Sequence, residues 1–149
     1  LAEDKLVLAA PNNAHYRALK ERGVYGRELL ACPTVAREEG SGTDRSVQNY
    51  MRSIGIMPDA LNIVARVDDP EAIKRMVAGG VGVSVLSALA VKGEVESGTL
   101  LAFEMDRSAL KRSIYLITQR GRSLSPAEQR FFDFLKSCAR RKKRKEPES

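Results

Sequence analysis

The sequence predicts an α/β fold with a substantially parallel sheet and helices on its faces. Two patterns carry that prediction. Short apolar runs alternate with segments of helical apolar spacing, and loops rich in Gly, Ser, Asp and Pro separate them, in the order strand, helix, strand, helix, strand, helix. Size and composition bound the answer. The chain has 149 residues, 43% apolar and 30% charged, which suits one globular unit and excludes wholesale disorder or a fibrous repeat.

The elements follow in order. Lys5-Leu6-Val7-Leu8-Ala9-Ala10, stopped by Pro11-Asn12-Asn13, predicts a buried strand and a turn. An irregular stretch holding Gly23 and Gly26 leads to a short strand, Thr34-Val35-Ala36, and the polar loop Arg37-Glu38-Glu39-Gly40-Ser41-Gly42-Thr43. Val47, Tyr50, Met51 and Ile54 then mark one apolar helix face, with Gly55 as its stop. The third strand is Leu61-Asn62-Ile63-Val64-Ala65. After it, Asp69-Pro70 is a helix start: the carboxylate accepts from exposed amides and proline loses nothing in the first turn. That helix turns Ile73, Met76 and Val77 inward and ends at Gly79-Gly80. Val81 to Leu86 is the fourth strand, where glycine allows close backbone approach. A helix over Ala88 to Glu96, a strand over Thr99 to Phe103 and a strand over Ser113 to Thr118 complete the series. Ser125, Pro126 and Glu128 form a capping box for a strongly apolar terminal helix carrying Phe131, Phe132, Phe134 and Leu135.

The formal charge of +6 is mostly one terminal run, Arg140 to Lys145. Residues 140–149 hold six of the 25 basic and two of the 19 acidic side chains, so the body carries about +2. Such a run repels itself and is expected to be disordered, adding at most weak, non-specific contact with nucleic acid. Cys32 and Cys138 lie far apart with no CxxC spacing, and His15 is the single histidine. A disulfide framework, a zinc site and a histidine triad therefore have no support, and both cysteines read as packing thiols. No apolar stretch approaches the roughly 18 residues of a membrane helix. Leu1-Ala2-Glu3-Asp4-Lys5 is no secretory signal. The expectation is a soluble, cytoplasmic chain with no membrane contact, no metal and no cofactor.

Ligands of open α/β sheets collect outside the carboxyl ends of the strands, which singles out two loops. In the first, Gly40 and Gly42 let the backbone approach a ligand, Ser41 and Thr43 supply hydroxyls, and free amides at the helix start favour an anion. The structural alternative is a plain helix cap. In the second, Asp68 and Asp69 form a polar wall that accepts hydrogen bonds, or one caps the helix while the other faces solvent. An acidic pair beside an anion loop favours a zwitterion or hydroxy acid over a simple polyanion, if both loops touch one ligand. No reaction is assembled: Ser41 lacks a Gly-x-Ser-x-Gly setting, and the adjacent Glu38 and Glu39 point to opposite faces of an extended chain.

Taken together, Arg37 to Thr43, Asp69-Pro70-Glu71-Ala72-Ile73-Lys74, Val77 to Ser87, Gly98-Thr99-Leu100, Ile114 to Ile117, Arg120 to Ala127 and Phe131 to Leu135 resemble the effector-binding domain of LysR-type transcriptional regulators. The resemblance runs in consistent order over about residues 3–137. It implies a type II periplasmic-binding-protein-like fold of two α/β lobes, here one complete lobe plus the return strand and helix of the other. Residues 1–137 would be a partial effector-binding domain: about 11–112 the second lobe, 5–10 and 113–118 the crossovers, 119–137 the return to the first lobe, and 138–149 a basic disordered tail.

The resemblance also implies a non-enzymatic sensor that binds a small-molecule effector, a carboxylate, amino acid or other small anion, in an interlobe cleft. The positions matching the family's contacts are Ser41, Gly42 and Thr43, with Asp68 and Asp69 in the second loop. Family members often carry small hydroxyl residues in that second loop, so the aspartates are a departure. DNA contact is expected only through a helix-turn-helix that would precede this stretch in an intact regulator. A partial first lobe would leave the terminal helix and a strand edge uncovered, which predicts self-association or a missing partner segment. The alternative is a stand-alone solute- or metabolite-binding module of the same fold.

Overall fold

The structure, a computed structural model, describes residues 2–108 and 110–143. It divides into two units, Asp4–Arg112 and a second formed by residues up to Glu3 and from Ser113 onward.

The larger unit is built on β1 (Ala2–Pro11). Leu6 and Leu8 pack into one apolar cluster and Val7 and Ala9 into another. A strand covered on both faces reads as a continuous apolar run, which is the pattern the sequence carries. β1 is antiparallel both to β4 (Ser84–Ser87) and to β5 (Leu100–Glu104), with Leu8 opposite Val85 and Phe103. β2 (Thr34–Arg37) and β3 (Ile63–Val67) are parallel, and Thr34 forms a parallel bridge to Val83 just ahead of β4. The strands from β2 to β5 therefore run one way, and β1 is inserted between β4 and β5 in the opposite direction. The expected parallel sheet is corrected at that strand: the sheets are mixed. β1 precedes the strand-helix alternation, so the crossover rule does not set its direction. β6 (Leu110–Ile114) also pairs with β1.

Helices cover both faces. α2 (Gly42–Ser53) buries Val47, Tyr50 and Met51 against Leu8, Val83 and Val85. On the other face α3 (Pro70–Ala78) buries Ile73 and Val77 against Val7, Val35 and Leu86. Gly82 lies where the chain crosses Pro33: a Cβ there would stand 2.2 Å from the Pro33 carbonyl oxygen, to which the Val83 amide donates at 2.8 Å. The close approach predicted for glycine in this segment is observed at Gly82.

Several boundaries differ from expectation. The stretch after Pro11 contains a helix, α1 (Ala14–Glu21), capped by the Asn13 side chain accepting from the Tyr16 amide at 3.0 Å. Only Tyr16 and Leu19 of α1 pack on the core, too few to mark a periodic face. β3 starts at Ile63 because Leu61 still closes a 3₁₀ turn over Pro58–Ala60. β4 starts at Ser84, three residues into the predicted run. The fourth helix, α4, covers Lys92–Glu96 alone, since Ala90 and Val91 turn back onto the Ser87 carbonyl. The predicted return strand at Ser113–Thr118 is displaced to β6, and Tyr115 and Ile117 are exposed.

In the smaller unit the capping box forms as predicted. Glu128 Oε2 accepts from the Ser125 amide at 2.8 Å and Ser125 Oγ from the Glu128 amide at 3.3 Å, at the start of α5 (Pro126–Lys143). Residues 138–143, expected in a disordered tail, are helical. Ala, Lys and Arg are strong helix formers, and cations suit a helix carboxyl end. The rest of the expected tail, residues 144–149, lies outside the described residues. Phe131 and Phe134 are exposed, and Lys136 Nζ lies 4.2 Å from the Phe132 ring centre. Cys32 is half-buried but Cys138 is exposed on α5, which corrects its reading as a packing thiol. Among the described residues no helix is long and apolar enough to cross a membrane, and no group of His, Cys, Asp and Glu could hold a metal ion.

Candidate functional site

The parallel register of β2 with β3 sets Arg37 opposite Val67, so the loops that follow these strands leave the same edge of the sheet side by side. Ser41-Gly42-Thr43 lies in one and Asp68-Asp69 in the other. At this edge the chain passes from strand to helix twice, and each helix start is built by its own side chains.

In the first loop Gly40 turns the chain with φ +75°, a conformation that a Cβ disfavours. Ser41 is the N-cap of α2, its Oγ accepting from the Asp44 amide at 3.1 Å. Asp44, 8% exposed, answers by accepting from the Gly40 amide at 3.0 Å. It also accepts from Gln48 Nε2 at 2.8 Å and pairs with Arg66 of β3 at 3.2 Å. The cap reading of Ser41 is thus realised. The amides of Gly42 and Thr43, at the first two helical positions, have no carbonyl of their own helix ahead of them and carry the positive end of its dipole.

In the second loop Asp69 caps α3, Oδ1 accepting from the Glu71 amide at 2.9 Å, while Asp68 is exposed. The two aspartates therefore divide their work as the structural alternative foresaw.

Sequence reasoning missed the polar group that joins this edge to the middle of the sheet. Asp4 of β1 is 3% exposed and accepts from Ser87 Oγ at 2.7 Å and from Arg112 Nε at 2.8 Å, with Arg112 Nη2 at 2.7 Å. Arg112 Nη1 also donates to Thr43 Oγ1 at 3.0 Å. Asp4 and Arg112 stand 108 positions apart, and no local pattern signals such a pair. Asp44 was findable, because Ser41-x-x-Asp44 is itself a capping pattern.

A cavity of about 50 Å³ is lined by apolar groups including Leu8, Val47, Val83 and Val85, together with Thr43 and Asp44. It is far below the roughly 300 Å³ at which small-molecule sites begin.

The fold defines an α/β effector-binding domain of the type II periplasmic-binding-protein kind. A family model described as the LysR substrate binding domain matches residues 1–139, and the chain belongs to that family. The HTH-type transcriptional activator CmpR of Synechocystis is 30% identical over 133 residues, covering 89% of this chain and 42% of its own length. The RuBisCO operon transcriptional regulator of Acidithiobacillus ferrooxidans is 29% identical over 134 residues, 90% of this chain and 42% of its own. Among solved structures, the regulatory domain of Synechocystis CcmR in complex with 2-PG is 27% identical, with a TM-score of 0.76, covering 92% of this chain and 64% of that one. The effector binding domain of QuiR in complex with shikimate has a TM-score of 0.78 over 95% of this chain and 64% of its own, and at 18% identity shares the fold. The chain spans less than half the length of the curated relatives it matches.

Proposed function

We propose that this chain is the effector-sensing part of a LysR-type transcriptional regulator, with a small molecule held against Ser41, Gly42 and Thr43 on one side and Asp68 and Asp69 on the other. The observation that carries the reading is the β2–β3 register, which brings both loops to one edge. Free amides at the start of α2 suit a carboxylate or another small anion, and the neighbouring aspartates suit hydroxyl or amino groups of the same ligand. CcmR and QuiR, whose regulatory domains hold 2-PG and shikimate, lend support from relatives of the same fold.

The lobe would form one wall of an effector cleft in the intact regulator. A ligand that binds one lobe arrangement better than another shifts the balance between them by its differential affinity, and DNA contact would belong to a helix-turn-helix outside this stretch. Such a regulator works in the cytoplasm. The exposed Phe131 and Phe134 of α5 favour self-association.

A thermal-shift screen against small carboxylates, amino acids, phosphate monoesters and hydroxy acids tests the reading. One class should raise the melting temperature with rising concentration, as mass action requires, and Thr43→Ala should abolish the rise. A cooperative melt that nothing in the panel moves would overturn it.

A further inference from the structure

A second concave surface of the larger unit shares no residue with the loops after β2 and β3. It is an open depression of about 670 Å³ bordered by Arg22, Arg27 and Arg107, with Glu28 and Asp106 among its walls. The two carboxylates are already engaged. Glu28 Oε1 accepts from the Tyr25 amide at 3.0 Å, and Asp106 Oδ1 accepts from the Ser108 amide at 2.8 Å and from Ser108 Oγ at 2.6 Å. Hydrogen bonds from Ser108 first and Tyr50 second hold the Asp106 carboxyl below its ordinary value, so it stays ionised. The guanidinium groups are not engaged in this way: among the described residues Arg22, Arg27 and Arg107 form no ion pair and their side chains donate to no protein group, and all three are exposed. Three like charges gathered about one hollow repel each other, and an anion seated among them relieves that repulsion.

The walls are also fixed. Gly26 lies so close to the core that a Cβ there would stand 2.9 Å from Leu8 Cβ and 3.1 Å from Met105 Sδ. The Arg27 amide donates to the Met105 carbonyl oxygen at 3.1 Å, which ties the turn Gly26–Leu29 to the chain leaving β5 two residues before Arg107. The segments that carry Arg27 and Arg107 are therefore held against each other before any ligand arrives, and such preorganisation favours binding.

We propose that this depression is a second ligand site, separate from the two loops, that takes a small molecule carrying two or more anionic groups. Guanidinium forks match the paired oxygens of phosphate and carboxylate groups. Three of them against two engaged carboxylates leave charge for a multivalent anion, and the volume lies within the roughly 300–1,000 Å³ of small-molecule sites.

The test titrates the whole labelled chain with pyrophosphate near physiological salt, where attraction beyond a Debye length of about 8 Å is screened, and follows the backbone amide shifts. Amides of Tyr25 to Glu28 and of Asp106 to Ser108 should move together and saturate, and acetate should bind at least about tenfold more weakly. Arg27→Gln with Arg107→Gln should weaken pyrophosphate about tenfold or more, the scale of a lost charged hydrogen bond. Arg27→Lys with Arg107→Lys keeps the charge and loses the fork, and should still weaken it by about threefold or more. Both pairs are exposed, and an unchanged melting temperature shows that the fold is intact. Lysine variants that bind as wild type does would reduce the site to general basicity and overturn the proposal. So would shifts that never saturate, or that centre on the basic carboxyl-terminal run. A short DNA duplex that moves these amides where pyrophosphate does not would overturn it in favour of a nucleic-acid contact. Pyrophosphate moving Ser41 to Asp44 with this surface still would overturn the second site and leave the reading of the loops standing.

Discussion

Ser84 and Ala9 stand opposite each other in the antiparallel ladder of β4 with β1, and both point to the sheet face that α3 covers. Their neighbours Val85 and Leu8 point to the other face. Ser84 is fully buried, and its hydroxyl is the one buried side-chain polar atom without a hydrogen-bond partner among the described residues. A buried hydroxyl without a protein partner adds little to stability beyond its packing. Ser84→Ala is therefore expected to leave stability within about 1 kcal/mol of wild type or to raise it. A urea melt showing a loss of about 2 kcal/mol or more would mean that the hydroxyl has a partner after all.

Gly82 predicts the opposite behaviour. A methyl group at that position would overlap the Pro33 carbonyl oxygen, which is main chain and cannot rotate away. Gly82→Ala should cost about 3 kcal/mol, the upper range for overpacking a tight site. It should also weaken the Val83 amide to Pro33 carbonyl bond that ties β2 to the approach to β4. Hydrogen exchange at the Val83 amide, read beside the melt, separates a local loss from a global one.

Lys74 supplies a pH signature. Its ammonium group is nearly buried, 2.7 Å from Glu71, 2.6 Å from Glu94 and 3.1 Å from the Ala90 carbonyl oxygen. Hydrogen bonds to Glu71 and then Glu94 hold the lysine above its ordinary value of 10.5, and the bond from Lys74 holds Glu94 below its ordinary 4.5. The raised lysine contributes stability in full below its unfolded value, and that contribution fades as pH rises through the higher folded value. The lowered glutamate contributes above its unfolded value, and that fades as pH falls through the lower folded one. Lys74→Met should thus lower stability by about 1–3 kcal/mol between about pH 5 and 10. The gap from wild type should narrow in stronger acid and stronger base, and a gap independent of pH across melts from acid to alkali would contradict the pairing.

What was legible in the chain follows contact distance. The caps at Ser41, Asp69 and Ser125 are made within three residues, so their side chains announce them. α2 and α3 bury one clear stripe each, and their apolar spacing marks them. α1 was hidden because it packs only Tyr16 and Leu19 on the core. The reversed direction of β1 was hidden because pairing direction depends on strands 75 or more residues away. At the candidate site the same division holds. Ser41 and Asp69 were visible as caps, whereas the Asp4, Ser87 and Arg112 group behind Thr43 is made wholly of distant partners. Only folding brings it together.

The central claim is that the sheet edge formed by the loops after β2 and β3 binds a small acid. Amide chemical shifts of the labelled chain, followed through a titration with the acid that gives the largest thermal shift, test it most directly. The account predicts the largest changes at Ser41 to Asp44 and at Asp69 to Glu71, saturating together, and their loss in Thr43→Val. Changes centred instead on the opposite ends of the strands, or on the arginine-bordered surface of Arg22, Arg27 and Arg107, with the two loops unmoved, would contradict it.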